Sequence, residues 1–178
     1  MAVKKVLQST LTGGSEKEEQ LLRRIALPVV KIDNKVKKII EDLHDTLWAY
    51  PFCVGLSATQ IGYPYAISIV NPKREKPEDD LILINPKILS SSGKKNKKRE
   101  SCMSVWGQMG EVERRDIVLI EYQDVNLNTN TLQCSGFDSR CIQHEIDHLN
   151  GTLYFDKLTK ETQMTHAEFF DEFSIIES

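Results

Sequence analysis

The sequence predicts an α+β fold in which antiparallel β-sheets pack around a central helix, with a further helix near the N-terminus and a short one near the C-terminus. Three features support this class: an amphipathic helical repeat early in the chain, short apolar runs separated by turn signals in the middle, and a second helical repeat late in the chain. A chain of 178 residues normally forms one core, so we expect residues 1–178 to form a single domain.

The N-terminal part is expected to be partly loop-like over residues 1–20, because residues 8–20 are polar and include two adjacent glycines. The first helix is expected over residues 33–50, where an Asp-Asn pair can cap the start and Pro51 follows the end. Apolar residues recur at helical spacing along one face of this helix, namely Val36, Ile39, Ile40, Leu43 and Leu47.

Strands are expected in the middle of the chain. Residues 66–70 and 81–84 are short apolar runs, and each is closed by an Asn-Pro pair that indicates a strand end. Residues 90–99 carry five basic side chains among serines and a glycine, and this composition predicts a solvated loop. Residues 117–122 and 131–134 flank a polar turn, so together they predict a β-hairpin.

The second helix is expected over residues 137–150, and it is the one that we expect at the centre of the fold. Gly151 follows it at the position where a left-handed C-cap residue is usual. A third, short helix is expected over residues 160–173, within the acidic C-terminal segment 159–178. The phenylalanines of that segment are expected to pack on the domain.

The composition excludes several classes of protein. The formal net charge of −3 gives no overall attraction to nucleic acid or to acidic membranes. No apolar run approaches the roughly 20 residues that cross a bilayer, and the first residues lack the apolar core of a secretory signal. We therefore expect no membrane partner, no specific nucleic acid partner and a cytoplasmic location, with an organelle as the alternative if the source is eukaryotic.

The second predicted helix carries the motif HExxH at residues 144–148. Because His144 and His148 are four residues apart, their imidazoles lie on one face of the helix and can reach one metal ion. Glu145 projects about 100° around the helix axis from His144, so it can reach a water on that metal and transfer its proton. The motif therefore predicts a catalytic metal site with a general base.

The third metal ligand determines the class of enzyme, because catalytic sites usually have three protein ligands. A metzincin would need a histidine where Tyr154 stands. A thermolysin-like protease would use Glu168, but the chain has little room for that class's large N-terminal domain. Cys141 lies seven residues from His148, about 10.5 Å along the helix axis, which is too far to share a metal with both histidines. The spacing does not choose among the other cysteines, which are Cys53, Cys102 and Cys134.

Three separated motifs stand at residues 53–60, CVGLSATQ, at residues 100–104, ESCMS, and at residues 143–151, QHEIDHLNG. The first two are similar to GφGφAAxQ, in which φ is apolar, and to EGCφS, and the third matches QHExDHxxG. Through these motifs the chain resembles the peptide deformylase family, and the resemblance covers roughly residues 20–158. The resemblance implies a deformylase-like catalytic domain that removes the N-formyl group from the formyl-methionine of new polypeptides.

Carried over by position, the resemblance implies one divalent metal ion per chain, with the ligands Cys102, His144 and His148. It also implies that this ion is Fe(II) in cells, with Zn(II) and Ni(II) as alternatives. The implied partners are N-formyl-methionyl peptides and nascent chains, with transient proximity to the ribosome. Some relatives dock there through a basic C-terminal helix, a charge that this acidic C-terminal segment lacks.

The resemblance also implies roles for residues around the metal. Glu145 would be the general acid and base, while the side-chain amide of Gln60 and the backbone N–H of Met103 would form the oxyanion hole. Arg114 is a candidate brace of the ligand loop, through an ion pair between Glu100 and Arg114 or its neighbour Arg115. The implied substrate-binding positions are Val54, Gly55, Glu100 and Ser101.

Three positions depart from the family pattern. Cys53 and Ser101 stand where the family has glycine, and Ser57 stands where it has alanine. None of these changes removes a metal ligand, the base or the amide of Gln60. They leave one alternative open, a weakly active or inactive relative that binds formylated peptides.

Overall fold

A computed structural model of the protein describes residues 2–159 and 164–172, apart from the side chain of Phe169. The described residues form three α-helices, six β-strands and five short 3₁₀ helices, and the strands form one antiparallel sheet. This α+β architecture confirms the predicted class. Among these residues, no helix has both the length and the apolar composition that crossing a bilayer requires.

The start of the chain is partly loop-like, as expected, because residues 2–9 form no helix or strand, but residues 16–20 belong to helix α1 (Glu16–Leu22). Ser15 caps it by accepting a hydrogen bond from the backbone N–H of Glu18, and the Glu18 carboxylate accepts one from the backbone N–H of Ser15. Such a capping box is readable in a sequence, but seven residues are too few to display a hydrophobic period.

Helix α2 (Asn34–Ala49) agrees with the predicted first helix. The side chain of Asp33 accepts a hydrogen bond from the backbone N–H of Val36, as expected of an N-cap. Its apolar face packs against the first two strands of the sheet, where Ile39, Leu43 and Leu47 are fully buried. Burial of each such side chain stabilises the fold by about 1.5–3 kcal/mol.

The strands follow the order β1-β2-β3-β4-β5, and β6 pairs with β4. Their bounds are Gly55–Ser57 for β1, Ile67–Val70 for β2, Leu81–Ser101 for β3, Gln108–Gln123 for β4, Thr129–Ser135 for β5 and Thr165–His166 for β6. The structure confirms the two predicted strands at residues 66–70 and 81–84, which correspond to β2 and the start of β3. It also confirms the predicted hairpin, which β4 and β5 form.

Strand β3 is much longer than the sequence predicts. The Asn-Pro pair at residues 85–86 does not end it, because a register shift between Ile84 and Lys87 absorbs the irregular backbone and the pairing with β4 resumes. The predicted loop at residues 90–99 is also wrong, since most of these residues pair with β4. Within the described chain, no strand pairs with the other side of β3 after Ile84, so residues 87–101 form an open edge.

Helix α3 (Gly136–Leu149) agrees with the predicted second helix, and Gly151 after it has the expected positive φ of 70°. Ile142 and Ile146 of α3 pack on buried residues of β2, β3 and β4. The HExxH motif therefore lies on a helix that the sheet holds along its length.

The predicted C-terminal helix is wrong for the described part of residues 160–173. Thr165 and His166 pair with Met109 and Gln108 of β4 as strand β6, and Glu168–Phe170 form a single 3₁₀ turn. Residues 160–163 and 173 lie outside the described residues. Phe170 is buried, as expected of a tail that packs on the domain, and its ring lies 5.0 Å from that of Phe52.

Candidate active site

The two histidines of α3 and a cysteine that follows β3 meet at one point. The ring centroids of His144 and His148 lie 4.9 Å apart, and Cys102 Sγ lies 3.1 Å from His148 Nε2. The three candidate ligand atoms all lie within 4.8 Å of one another, the one such group of His, Cys and acidic side chains found in the described chain. The structure thus selects Cys102 from the cysteines that the sequence left open.

Glu100 holds His144 in the orientation that a metal site requires. Its Oε2 lies 3.1 Å from His144 Nδ1, which leaves the other ring nitrogen for Cys102. A carboxylate on the outer nitrogen of a histidine is usual around metal ions. The donor set of one sulfur and two imidazoles fits Zn(II) or Fe(II), and three protein ligands leave room for a water.

His148 is suited to metal binding by its burial. Burial and the nearby His144 lower the pKa of His148 well below 6.5, so the ring is neutral, which is the form that binds a metal. Burial also lowers the pKa of His144, but hydrogen bonds with Cys102 and Glu100 outweigh this and raise it well above 6.5.

The carboxyl group of Glu145 lies in the same cleft and is 3% exposed. Ser57 Oγ donates a hydrogen bond to Glu145 Oε2 at 2.7 Å. Gly55 lies on the other side, where an added Cβ would come within 2.6 Å of Glu145 Oε1. Burial raises the pKa of Glu145 above 4.5, which favours a group that both accepts and returns a proton.

Gln60 is oriented by hydrogen bonds at both ends of its amide. Its Oε1 accepts a hydrogen bond from the backbone N–H of Ser57 at 2.8 Å. Its Nε2 lies 3.2 Å from Ser104 Oγ and 3.5 Å from Cys102 Sγ. The amide N–H groups are therefore directed toward the predicted metal position.

Met103 follows Cys102 and lines the cleft. Its carbonyl accepts a hydrogen bond from Gln8 Nε2 at 2.8 Å, and Gln8 Oε1 accepts one from the backbone N–H of Trp106 at 3.2 Å. Gln8 thus braces the loop that carries the cysteine ligand. The sequence did not identify Gln8, because it lies in a polar stretch without a motif and the contact joins residues far apart in the chain.

Buried charges surround Glu100. Arg114 donates from Nε to Oε1 at 2.5 Å and from Nη2 to Oε2 at 2.7 Å, and Arg140 donates to Oε1 at 2.5 Å. Burial raises the pKa of Glu100, but the hydrogen bonds and charges of Arg114 and His144 outweigh it and hold the pKa well below 4.5. The structure brings Arg114 to Glu100, whereas Arg115 donates to the carbonyl of Gly93. Arg140 is a further partner that sequence reasoning missed.

The cleft has a volume of about 200 Å³ and opens beside the metal-ligand group. Residues 52–55 and residues 99–103 both line it, so the predicted substrate positions Val54, Gly55, Glu100 and Ser101 all lie at one cleft. The carboxylate of Glu100 is occupied by the two arginines and His144, so it is positioned to brace the site. Phe170 of the C-terminal segment also lines the cleft.

The departures from the family motifs lie in or beside this cleft. Cys53 is buried, its Sγ lies 3.2 Å from the carbonyl oxygen of Gly55, and burial raises its pKa, so it remains a neutral thiol. Ser57 is fully buried against Glu145, and Ser101 ends β3 at the rim. None of the three blocks the metal-ligand group.

Comparisons with known proteins show which family the chain belongs to. The Polypeptide deformylase family model matches residues 15–164. The peptide deformylase of Helicobacter pylori (strain G27) is 42% identical over 144 residues, which are 79% of this chain and 82% of the relative. That of Finegoldia magna is 37% identical over 140 residues, which are 79% of this chain and 85% of the relative.

Solved structures give the same result. The crystal structure of peptide deformylase from Thermotoga maritima has a TM-score of 0.79 and 28% identity, and covers 89% of this chain and 99% of its own. A peptide deformylase structure from Plasmodium falciparum has a TM-score of 0.78 and 35% identity, and covers 88% of this chain and 87% of its own. The chain therefore belongs to the peptide deformylase family, a family of metal-dependent hydrolases.

Proposed function

We propose that the protein removes the N-formyl group from the formyl-methionine of newly synthesised polypeptides and releases formate. The observation that carries this proposal is the meeting of three metal-ligand side chains, Glu145 and the amide of Gln60 in one cleft. The proposal treats residues 1–178 as one catalytic domain.

Cys102, His144 and His148 would hold one divalent metal ion. We propose Fe(II) as the ion in cells, with Zn(II) or Ni(II) as alternatives, because a sulfur and two imidazoles suit all three. When bound, such an ion activates a water and polarises the formyl carbonyl. Glu100 and Arg114 would keep His144 oriented toward it.

Proton transfer is the proposed task of Glu145. Its carboxylate takes a proton from the attacking water and gives it to the nitrogen of the leaving amine. The Nε2 of Gln60 and the backbone N–H of Met103 donate hydrogen bonds to the oxygen on which negative charge develops. Removing one such donor typically lowers the rate about 10²–10³-fold.

The substrate would bind as an extended peptide along the cleft. Gly55 and Ser101 line it and would offer backbone groups, and an added strand uses such groups for affinity. The open edge of β3 ends at Ser101, next to the metal-ligand group. The methionine side chain would enter the apolar part of the cleft near Val54 and Phe170.

We propose nascent chains as the partners in the cell, with transient proximity to the ribosome and no specific contact with nucleic acid. The proposed location is the cytoplasm, or an organelle if the source is eukaryotic. The acidic C-terminal segment does not provide a basic docking helix.

The first test measures formate released from a formyl-Met-Ala-Ser peptide by anaerobically purified protein of known metal content. The wild type should release formate, whereas Glu145→Ala should keep its metal and lose about 10²–10⁴-fold in kcat, the usual contribution of general acid-base catalysis. Chelation of the metal should abolish release, and re-addition of Fe(II) should restore it. A metal-loaded wild type that binds the peptide but releases no formate would instead support the alternative of an inactive formyl-peptide binder.

A further inference from the structure

We propose that Ser57 is a positioning residue for the reaction, because its hydroxyl, held in turn by Ser68, fixes the carboxylate of Glu145 in one orientation. This inference rests on the proposed function. It adds a hydrogen-bonded pair of buried serines beneath the general base.

The contacts form a continuous chain. Ser57 Oγ lies 2.7 Å from Glu145 Oε2, 3.1 Å from the backbone carbonyl oxygen of Glu145 and 2.8 Å from Ser68 Oγ. Ser57 and Ser68 are directly opposite each other in the β1–β2 pairing, and both are fully buried. Because both strands hold the pair in register, the hydroxyl of Ser57 has little freedom to turn away from Glu145.

The number of protons on each group determines which group donates in these hydrogen bonds. A serine hydroxyl has one proton to donate and can also accept. The carboxylate and the backbone carbonyl of Glu145 can only accept, so Ser57 donates to Glu145 and accepts from Ser68. Of the two acceptors, Oε2 is the nearer and takes the stronger hydrogen bond. A hydroxyl that accepts one hydrogen bond donates more strongly, so Ser68 strengthens the bond that Ser57 makes.

Gly55 completes the restraint from the other side of the carboxylate. A Cβ at Gly55 would lie 2.6 Å from Glu145 Oε1, so this oxygen packs directly against the glycine backbone. One oxygen of Glu145 is therefore held by Ser57, and the other lies next to a residue that lines the cleft. The serine pair determines which oxygen of Glu145 is available to water and substrate.

Ser57 is not among the cleft-lining residues, so it acts through Glu145. The family motif has alanine at this position, so the fold and metal site do not depend on a hydroxyl there. The backbone N–H of Ser57 also holds Gln60 Oε1. Ser57→Ala keeps that N–H and therefore removes the hydroxyl alone.

The test compares metal-loaded wild type with Ser57→Ala and with the control Ser139→Ala. Ser139 is an equally buried serine at the start of α3, where its hydroxyl accepts a hydrogen bond from Gln143 and does not touch Glu145. We expect Ser57→Ala to lower kcat about tenfold, the effect of losing one hydrogen bond to a charged group. The KM and the metal content should stay unchanged. Ser139→Ala should lose stability but keep its kcat.

Two further measurements separate positioning from a structural role. Ser68→Ala should lower kcat less than Ser57→Ala, and the double variant should be no slower than Ser57→Ala, because Ser68 acts only through Ser57. The kcat loss should also be smaller for an S-formyl thioester analogue of the peptide. The thiolate of a thioester can leave without a proton, whereas the amine of an amide must first receive one from Glu145.

The possible failures are distinguishable. Absence of formate release by the wild type would overturn the proposed function itself. Release by the wild type with unchanged kcat in Ser57→Ala would overturn only the role of Ser57. If Ser57→Ala loses metal, or if its kcat falls by the same factor on the amide and the thioester, the serine pair supports the structure without positioning the base.

Discussion

At the scale of single residues, the site depends on one buried anion. Glu100 is 7% exposed and accepts hydrogen bonds from Arg114 and Arg140 while it orients His144. Breaking a buried ion pair is costly because it leaves a buried charge without its partner. The ligand cluster should therefore be more sensitive to Arg114 than to any surface cation.

Replacing Arg114 with methionine tests this. Arg114→Met should lower the free energy of unfolding by about 3–5 kcal/mol and weaken metal binding about 10–100-fold. The control is Lys95→Met, which removes an exposed ion pair with Glu113 and should leave both quantities nearly unchanged. Urea unfolding and metal titration measure both effects. Equal losses in the two variants would contradict the proposed brace.

Gly55 offers a second test at this scale, because an added methyl would displace the carboxylate of Glu145. Gly55→Ala should lower kcat about 100-fold, the effect of a misplacement of about 1 Å, with little loss of stability. Gly13→Ala is the matched control. Gly13 has a φ of 92° and open space around it, so an alanine there should cost stability and leave kcat unchanged. Steady-state kinetics and thermal unfolding of both variants test whether Gly55→Ala affects mainly kcat and Gly13→Ala mainly stability.

The motifs predicted the residues that the structure brings together, because HExxH is a local pattern on one helix. They did not predict the supports. Gln8, Ser68 and Arg140 reach the site from segments without a motif, and their contacts depend on how distant elements pack. The spacing argument excluded Cys141. It could not select Cys102, because nothing in the sequence shows that the end of β3 lies beside α3.

At the scale of elements, helix α2 is tied to the segment after β1 by a buried carboxylate. Asp42 on α2 accepts hydrogen bonds from Tyr63 Oη at 2.8 Å and from Lys38 Nζ at 2.5 Å. Burial and the hydrogen bond to Asp42 raise the pKa of Tyr63 from 10.0 to about 12. This tie should make stability depend on pH in the alkaline range.

The direction of this pH dependence follows from the pKa of Tyr63 in the folded and unfolded states. The unfolded chain loses the Tyr63 proton near pH 10, whereas the folded protein keeps it to about pH 12. The stability that this proton contributes is complete below pH 10 and is lost as the pH rises through about 12. The advantage of wild type over Tyr63→Phe in free energy of unfolding should therefore shrink across this range. Tyr65→Phe, which removes a surface hydrogen bond with Lys35, is the control. If the difference in free energy of unfolding between wild type and Tyr63→Phe stayed constant across this pH range, the hydrogen bond from Tyr63 to Asp42 would not contribute to stability as proposed.

Helices α2 and α3 could be predicted because a helix closes its hydrogen bonds within one segment. Strands find theirs in other segments, which explains the two largest errors. Residues 90–99 have the composition of a loop, yet β4 offers them a partner. Residues 165–166 belong to a segment with a helical pattern, yet they pair with the start of β4.

At the scale of the whole molecule, the open edge of β3 is the feature with the widest consequence. Residues 87–101 leave one side of their backbone without a strand partner among the described residues, and this side leads to the cleft. An edge that accepts a substrate strand can also accept the same edge of a second copy. Lys94 and Lys98 are exposed along it, so their charges oppose such pairing.

The double variant Lys94→Val, Lys98→Val should therefore self-associate as concentration rises, while the wild type does not. The control is Lys17→Val with Lys73→Val, which makes the same change in net charge at exposed positions away from this edge. Light scattering over a concentration series compares them. Equal behaviour of the two variants would show that total charge, and not its place on the edge, keeps copies apart.

The open edge thus places opposing demands on solubility and on turnover. A more hydrophobic edge would hold extended peptides longer and slow product release, and it would also favour aggregation in a crowded solution. Under the proposed function, a fully covered edge would prevent aggregation and also exclude the substrate. Exposed lysines would oppose lasting contact between two copies and still leave the backbone of β3 accessible to a short peptide.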